Sequence, residues 1–317
     1  MRLPSIGDVV DDKFRVERRL GEGGTSTIYE VRHAITDKKF AIKWLSPELA
    51  QDDLAVELFI HEARVCGRFE HPHAVQIYDI CRAGDPYYML MEFLEGESLE
   101  ARLQRVQRFS AQAASDILLP CTEALGAAHR VGIVHQDLKP SNIFLCTVEG
   151  RAEEIPKVLD FGISNLSHDG HDFSPIAATM HTVSGTPLYM APEQMRGQRA
   201  DPRIDIYALG VVLYELVAGE PPFDSDTFAG LAARIVESQP ARLDKVVKVA
   251  PAFAEIVARA MARDADDRFA TMGDFADALR PYGSQRPSVA ITPVEARRSD
   301  APRRPVRRAW KTTRPGV

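Results

Sequence analysis

Between His135 and Gly162 the chain carries His135-Gln136-Asp137-Leu138-Lys139-Pro140-Ser141-Asn142, an apolar strand, a polar hairpin, a second apolar strand and Asp160-Phe161-Gly162. A carboxylate, an ammonium and an amide fall within six residues, and the returning strand brings a second carboxylate to the same edge. Carboxylate and amide oxygens suit a hard cation such as magnesium, whereas a zinc site wants His or Cys. Groups of these types at one edge can handle a metal-bound phosphate, so the chemistry expected is phosphoryl transfer. His135 is expected to be structural, because no second His, Cys or free carboxylate stands at zinc spacing beside it.

The elements that position these groups can be read outward from the stretch. Ile117, Cys121, Leu125 and Ala128 recur at helical spacing and mark a long core helix leading through Gly132 into the loop. Pro140 disfavours helix at Lys139 and is expected to keep the loop extended. Val148 to Pro156, with Gly150, Glu153 and Glu154, reads as a solvated hairpin tip.

Nearer the start, Phe14, Val16 and Leu20 precede Gly21-Glu22-Gly23-Gly24-Thr25-Ser26, and Ile28, Tyr29 and Val31 follow, giving strands joined by a glycine turn. Taken alone, such a turn is more often just a hairpin. Ala41-Ile42-Lys43 closes the next strand, and a lysine within an apolar strand either snorkels to the surface or is held by a buried anion. Leu58, Glu62, Val65 and Phe69 share one helical face, which makes Glu62 the acid on the buried stripe and the expected partner of Lys43. Glu57 falls off that face into solvent. Tyr88 to Met91 is read as a buried strand that leads through Glu92-Phe93-Leu94 toward Gly96.

Taken in order, these motifs resemble those of the protein kinases, most nearly the eukaryotic-like bacterial serine/threonine kinases: a catalytic loop of the form H-x-D-x-x-x-x-N, then D-F-G, behind a glycine loop and a strand lysine. The resemblance covers about residues 14 to 282. It implies Asp137 as the base for the substrate hydroxyl, Lys139 as a cation near the transferred phosphate, and Asn142 and Asp160 as ligands of Mg2+ (or Mn2+). It also implies an ATP site formed by Leu20, Gly21, Gly23, Gly24, Ile28, Ala41, Lys43 with Glu62, Met91 behind the adenine, and the backbone of Glu92 and Leu94 at a hinge. Ser26 stands where many kinases have a third glycine, leaving Gly24 to supply the flexibility.

Residues 163 to 190 have the composition of a mobile activation segment, with Thr179, Thr182 and Ser184 as autophosphorylation candidates. Thr186, in Gly185-Thr186-Pro187, resembles the threonine that contacts Asp137 and Lys139 and helps select Ser/Thr substrates. Gln136 replaces the usual arginine of the loop, and an amide cannot form a charge-assisted pair with a phosphorylated segment. By resemblance Glu193 of Ala191-Pro192-Glu193 pairs with Arg268, and Asp205, opening an apolar helix that runs to Val217, holds the loop backbone. Apolar faces at 228–236, 253–261 and 272–279 mark core helices without chemistry.

Composition agrees with this picture. At 317 residues, 45% hydrophobic and 26% charged, the chain can build two lobes. No apolar run approaches a membrane span, and Cys66, Cys81, Cys121 and Cys146 lack metal or redox spacing, so a reducing cytoplasm is expected. Residues 283–317 hold nine Lys and Arg against Glu295 and Asp300, a net of +7, which leaves -13 on the first 282 residues against -6 overall. An acidic body argues against nucleic-acid binding.

The resemblance thus implies an α+β, two-lobed kinase fold: an extension (1–13), a small antiparallel sheet lobe with one regulatory helix (14–94), a larger helical lobe (95–282) and a basic, disordered tail (283–317). The tail could serve as an interaction arm, an autophosphorylation substrate through Ser284, Ser288 or Thr292, the approach to a membrane span, or simply a solvated end. The expected activity is transfer of the ATP γ-phosphoryl group to Ser/Thr hydroxyls of proteins, including this chain, in bacterial signal transduction, with a homodimer left open. A pseudokinase is disfavoured by the presence of Lys43, Glu62, Asp137, Asn142 and Asp160, and a small-molecule kinase by Gly185-Thr186-Pro187 and Ala191-Pro192-Glu193.

Overall fold

The computed structural model describes residues 3–23, 25–82, 87–148, 150, 153–161, 187–198 and 201–284. Residues 1–285 form one compact unit. Its first part is an antiparallel sheet of β1 (Val9–Val10), β2 (Phe14–Glu22), β3 (Ser26–His33), β4 (Lys39–Leu45), β5 (Ile77–Arg82) and β6 (Tyr87–Glu92), ordered β1-β2-β3-β4-β6-β5. Val9 and Val10, expected in a separate extension, pair with Arg15 and Phe14 and so join the sheet.

The register gives the sheet two distinct faces. Gly21 lies opposite Ile28, Ile28 opposite Lys43, Lys43 opposite Met89 and Ala41 opposite Met91. Side chains alternate along a strand, so Gly21, Ile28, Ala41, Lys43, Met89 and Met91 share one face. The other face carries Tyr29, Ile42, Trp44, Tyr88 and Leu90, a separate apolar cluster closed by Val10, Phe14 and Val16, with Trp44 stacked on Tyr88 at 5.3 Å.

Helix α1 (Asp53–Cys66) starts at Asp52, whose carboxylate accepts the Leu54 and Ala55 N–H groups. It buries Phe59, Ala63 and Cys66, one position on from the expected stripe of Leu58, Glu62, Val65 and Phe69. Apolar residues flank both phases of the turn, and the larger ring of Phe59 takes the core. Phe69 is buried from beyond the helix end, and Glu62 sits at the rim of the stripe with its side chain 17% exposed.

The second part is mostly helical. Helix α2 (Leu99–Val106) is followed by α3 (Ala111–Arg130), which buries Ala114, Leu118, Cys121, Ala124, Leu125 and Ala128. A small sheet is formed by β7 (Gly96–Ser98), which precedes α2, with β8 (Ile143–Cys146) and β9 (Ile155–Val158), which follow α3. Then come α4 (Pro192–Met195), α5 (Arg203–Ala218), α6 (Phe228–Glu237), α7 (Leu243–Val246), α8 (Pro251–Ala260) and α9 (Met272–Leu279). Helix α5 is buried on nearly every side from Ile204 to Val217 and, apart from Asp205 and Glu215, carries mainly apolar side chains there, as an axis of the core must. Gly210 lets α8 close on it: a Cβ there would lie 2.8 Å from that of Ala260.

Two local expectations need correction. Lys139 is extended, but Pro140–Asn142 form a turn of 3-10 helix, since proline restricts the residue before it and suits the first position of a helical turn. Glu154 is not simply solvated: it takes a bidentate pair from Arg102 at 2.6 and 3.1 Å, across the small sheet. Among the described residues no helix is long and apolar enough to cross a membrane.

Candidate active site

Strand β4 carries Lys43 to the inner sheet face, where its ammonium lies 3.2 Å from Glu62 Oε1 and 3.0 Å from Asp160 Oδ1. Burial opposes the charge on Lys43, but the Asp160 and Glu62 carboxylates more than offset it and raise its pKa above the ordinary value. Snorkelling is thereby excluded, since the side chain is 9% exposed and ends between two acids. The expected pair with Glu62 is present, and Asp160 joins it.

Asp160 follows β9 with φ at +39°, a left-handed conformation uncommon outside glycine. Burial would raise the Asp160 pKa, yet the Lys43 ammonium outweighs it and holds the carboxyl below its usual range. The neighbouring Phe161 is buried against Phe69, edge to face at 5.5 Å, and against the His135 ring at 4.9 Å.

The loop before β8 is built around main-chain bonds. His135 is fully buried, and its Nε2 donates to the Leu159 carbonyl at 2.8 Å, leaving Nδ1 to accept the Asp137 N–H at 3.3 Å. It is structural, as expected. Asp205, fully buried on α5, accepts the His135 N–H at 2.8 Å and the Gln136 N–H at 2.9 Å, with His129 Nε2 2.7 Å away. The loop so held presents Asp137 to solvent, its side chain 52% exposed. Lys139 Nζ donates to Asp137 Oδ2 at 2.8 Å, and Asn142 Nδ2 donates to the Asp137 carbonyl and Oδ2 at 2.8 and 3.1 Å. With its nitrogen engaged, the Asn142 amide keeps an oxygen for a further partner.

Above these groups, Gly23 N–H closes on the Ser26 carbonyl at 2.8 Å, and a Cβ at Gly21 would meet nothing within 4 Å, so the glycines leave that stretch open. Leu20 is 40% exposed, Ile28 half-buried, and Ala41 and Met91 buried. Glu92 spends its N–H on the Gln76 carbonyl and its carboxylate on Lys157, at 2.7 and 3.0 Å. Leu94 follows in the connection to the helical part, half-buried. Gly24, Gly162, Thr179, Thr182, Ser184, Gly185 and Thr186 lie outside the described residues, as do Ser288 and Thr292.

Below the loop, Arg268 is buried and donates to both Glu193 oxygens at 2.6 and 2.7 Å, to the carbonyls of Ala262, Arg203 and Arg263, and lies over the Tyr207 ring. The expected Glu193–Arg268 pair and the Asp205 anchor are both present.

Two participants escaped the sequence reading. Lys157 sits in an apolar strand, the same signal that singled out Lys43, and could have been found by it. Gln194 donates to the Gln136 carbonyl at 3.2 Å, across 58 positions of sequence, and no local pattern points to it.

The protein kinase domain family matches residues 14–278. The serine/threonine-protein kinase pkn3 of Myxococcus xanthus is 34% identical over 95% of this chain and 56% of its own length. Pkn1 of the same organism is 39% identical over 84% of this chain and 38% of its own length. The chain thus spans about half or less of these relatives. A solved kinase domain of Mycobacterium tuberculosis PknI superposes with a TM-score of 0.69 at 26% identity, covering 88% of this chain and 100% of that one. With its sheet lobe, helical lobe and D-F-G carboxylate bound to the strand lysine, the chain belongs to the protein kinase family, among the eukaryotic-like bacterial serine/threonine kinases.

Proposed function

We propose that the chain transfers the γ-phosphoryl group of ATP to Ser and Thr hydroxyls of proteins, itself included, in bacterial signal transduction. The observation that carries this reading is the Lys43 ammonium bridging Glu62 and Asp160, on the face that also bears Gly21, Ile28, Ala41 and Met91. The same cation that pairs with Glu62 can hold nucleotide phosphates beside Asp160. Leu20, Gly21, Gly23, Gly24 and Ile28 cover the nucleotide in this reading, Ala41 and Met91 line its base, and the backbone of Glu92 and Leu94 bonds the base edge.

Asp137 accepts the proton of the substrate hydroxyl, and Lys139, 2.8 Å from its carboxylate, lies close enough to offset charge on the transferred group. The Asp160 carboxylate and the free Asn142 oxygen fit a magnesium or manganese ion, which takes few protein ligands and completes its shell with phosphate and water. When bound, that ion neutralises charge on the phosphoryl oxygens. Catalysis here is positioning and electrostatics, since the loop is fixed by Asp205 and the cation by two acids.

The test is incubation of the purified chain with labelled ATP and magnesium beside Asp137→Asn, with mass-spectrometric mapping of sites. Turnover should fall by about a hundred- to ten-thousand-fold in Asp137→Asn while nucleotide binding survives. Wild-type chain that binds nucleotide yet labels neither itself nor a generic protein would overturn the proposal. Asp160→Ala should instead weaken magnesium-dependent nucleotide binding, and normal affinity there would remove its role.

Because Gln136 cannot pair with a phosphate as arginine does, phosphorylation of Thr179, Thr182 or Ser184 is expected to raise activity only modestly. Replacing all three by Ala should leave most of the turnover, and a folded but inactive triple variant would overturn that expectation.

A further inference from the structure

Gln194 is buried, 6% exposed, and bonded at both ends of its carboxamide. Its Oε1 accepts the Ala191 N–H at 2.9 Å, and its Nε2 donates to the Gln136 carbonyl at 3.2 Å. A peptide N–H only donates and a carbonyl only accepts, so the two partners fix which end of the amide is which. The first bond caps the four-residue helix α4. The second does nothing for that helix: it crosses to the residue directly before Asp137.

Gln136 is a residue that needs holding. Its φ of +67° is left-handed, a conformation disfavoured for any side chain with a Cβ. Asp205 takes its N–H at 2.9 Å. Its carbonyl belongs to the peptide plane whose other end is the Asp137 N–H, itself donated to the His135 carbonyl at 2.9 Å. Turning ψ of Gln136 rotates that plane and swings the Cα of Asp137, and with it the carboxylate.

We propose that Gln194 is a positioning residue for Asp137: its carboxamide fixes the Gln136–Asp137 peptide plane through a neutral hydrogen bond reaching over from the Ala191-Pro192-Glu193 segment. The bond uses the main chain of residue 136, so it is independent of the arginine that this chain lacks there. It ties the placement of the base to Ala191-Pro192-Glu193, with no phosphate in the link. This inference rests on Asp137 being the base of the proposed transfer.

Two variants of the full chain separate positioning from capping. Gln194→Glu keeps an oxygen for the Ala191 N–H but sets a carboxylate, which has no hydrogen to donate, against the Gln136 carbonyl. Gln194→Met removes both bonds without adding charge. Steady-state transfer to a generic protein substrate, ATP titration and thermal melting are compared with wild type. Both variants should lose about tenfold in kcat, the worth of a bond made to an aligned group, with the KM for ATP within about twofold. Gln194→Glu should melt close to wild type because its cap survives, and should Gln194→Glu prove too unstable to assay, Gln194→Met carries the same kcat-against-KM test on folded protein counted by nucleotide binding. Wild-type kcat in the folded variants, or a loss confined to KM, overturns the positioning role and leaves Gln194 a helix cap. A wild-type chain without transfer overturns the kinase reading itself, an outcome visible in the same assay before any variant is compared.

Discussion

Lys43 does not share its charge evenly between its two acids. Asp160 is held below the ordinary carboxylate range, whereas for Glu62 burial outweighs the attraction of Lys43 and raises its pKa, with the nearby Asp160 adding to the rise. Glu62 is therefore the member of the triad that protonates first on acidification, at a higher pH than a free glutamate. The sign for stability is the opposite of that for function. A carboxyl whose folded pKa is raised contributes stability that is present below its unfolded pKa and lost as pH rises through the folded value, because the native state binds the extra proton. Glu62→Gln should thus lose turnover at neutral pH, lose the acid limb that Glu62 imposes on kcat/KM, and melt no lower than wild type near neutrality. Those quantities are measured in a pH–rate profile and a parallel series of melts. An unchanged acid limb in Glu62→Gln would assign that limb to another group.

At the scale of elements, the Glu193–Arg268 pair joins α4 to the turn before α9 while Arg268 also satisfies three carbonyls. Removing the acid alone strands a guanidinium in the core, so Glu193→Ala should cost about 3–5 kcal/mol in denaturant unfolding. Replacing both partners by apolar residues should cost less than the single change, whereas a loss below about 1 kcal/mol in Glu193→Ala would show that the carbonyls suffice for Arg268.

The same elements show what could be read from the sequence. Lys43, Asn142 and Asp160 stand out as polar groups in or beside an apolar strand, and Asp137 as the carboxylate that shares six residues with Lys139 and Asn142, signals local to a few residues. The phase of α1 was legible only to within one position: Leu58 and Phe59, and Val65 and Cys66, are adjacent apolar pairs that satisfy the helical period either way. Packing made the choice, with Phe69 set against Phe161 across the chain. Contacts with no local trace were lost altogether, such as Arg102 with Glu154 over 52 positions and Gln194 with Gln136 over 58.

Across the whole folded unit, the two lobes share one core. A single apolar cluster runs from Ala41, Met89 and Met91 of the sheet through Leu138 and Phe161 into α5, α8 and α9. The lobes are also laced along one edge, where Val75 N–H donates to the Val158 carbonyl, Val158 N–H to the His73 carbonyl, both at 2.9 Å, and Lys157 to Glu92. The second cluster, on the outer sheet face, cannot melt alone, because its Ile42 and Tyr88 alternate along β4 and β6 with Lys43 and Met89 of the first. Heating should therefore give one transition with calorimetric and van 't Hoff enthalpies in agreement, despite a size at which intermediates are common. Magnesium-ATP at about 100 times its Kd should stabilise the chain by about 2.7 kcal/mol and raise that single midpoint, whereas Asp160→Ala at the same concentrations should show little of the rise. Two separate transitions, with only the earlier one moved by nucleotide, would mean that the sheet lobe unfolds by itself and that the core is continuous in space but not in energy.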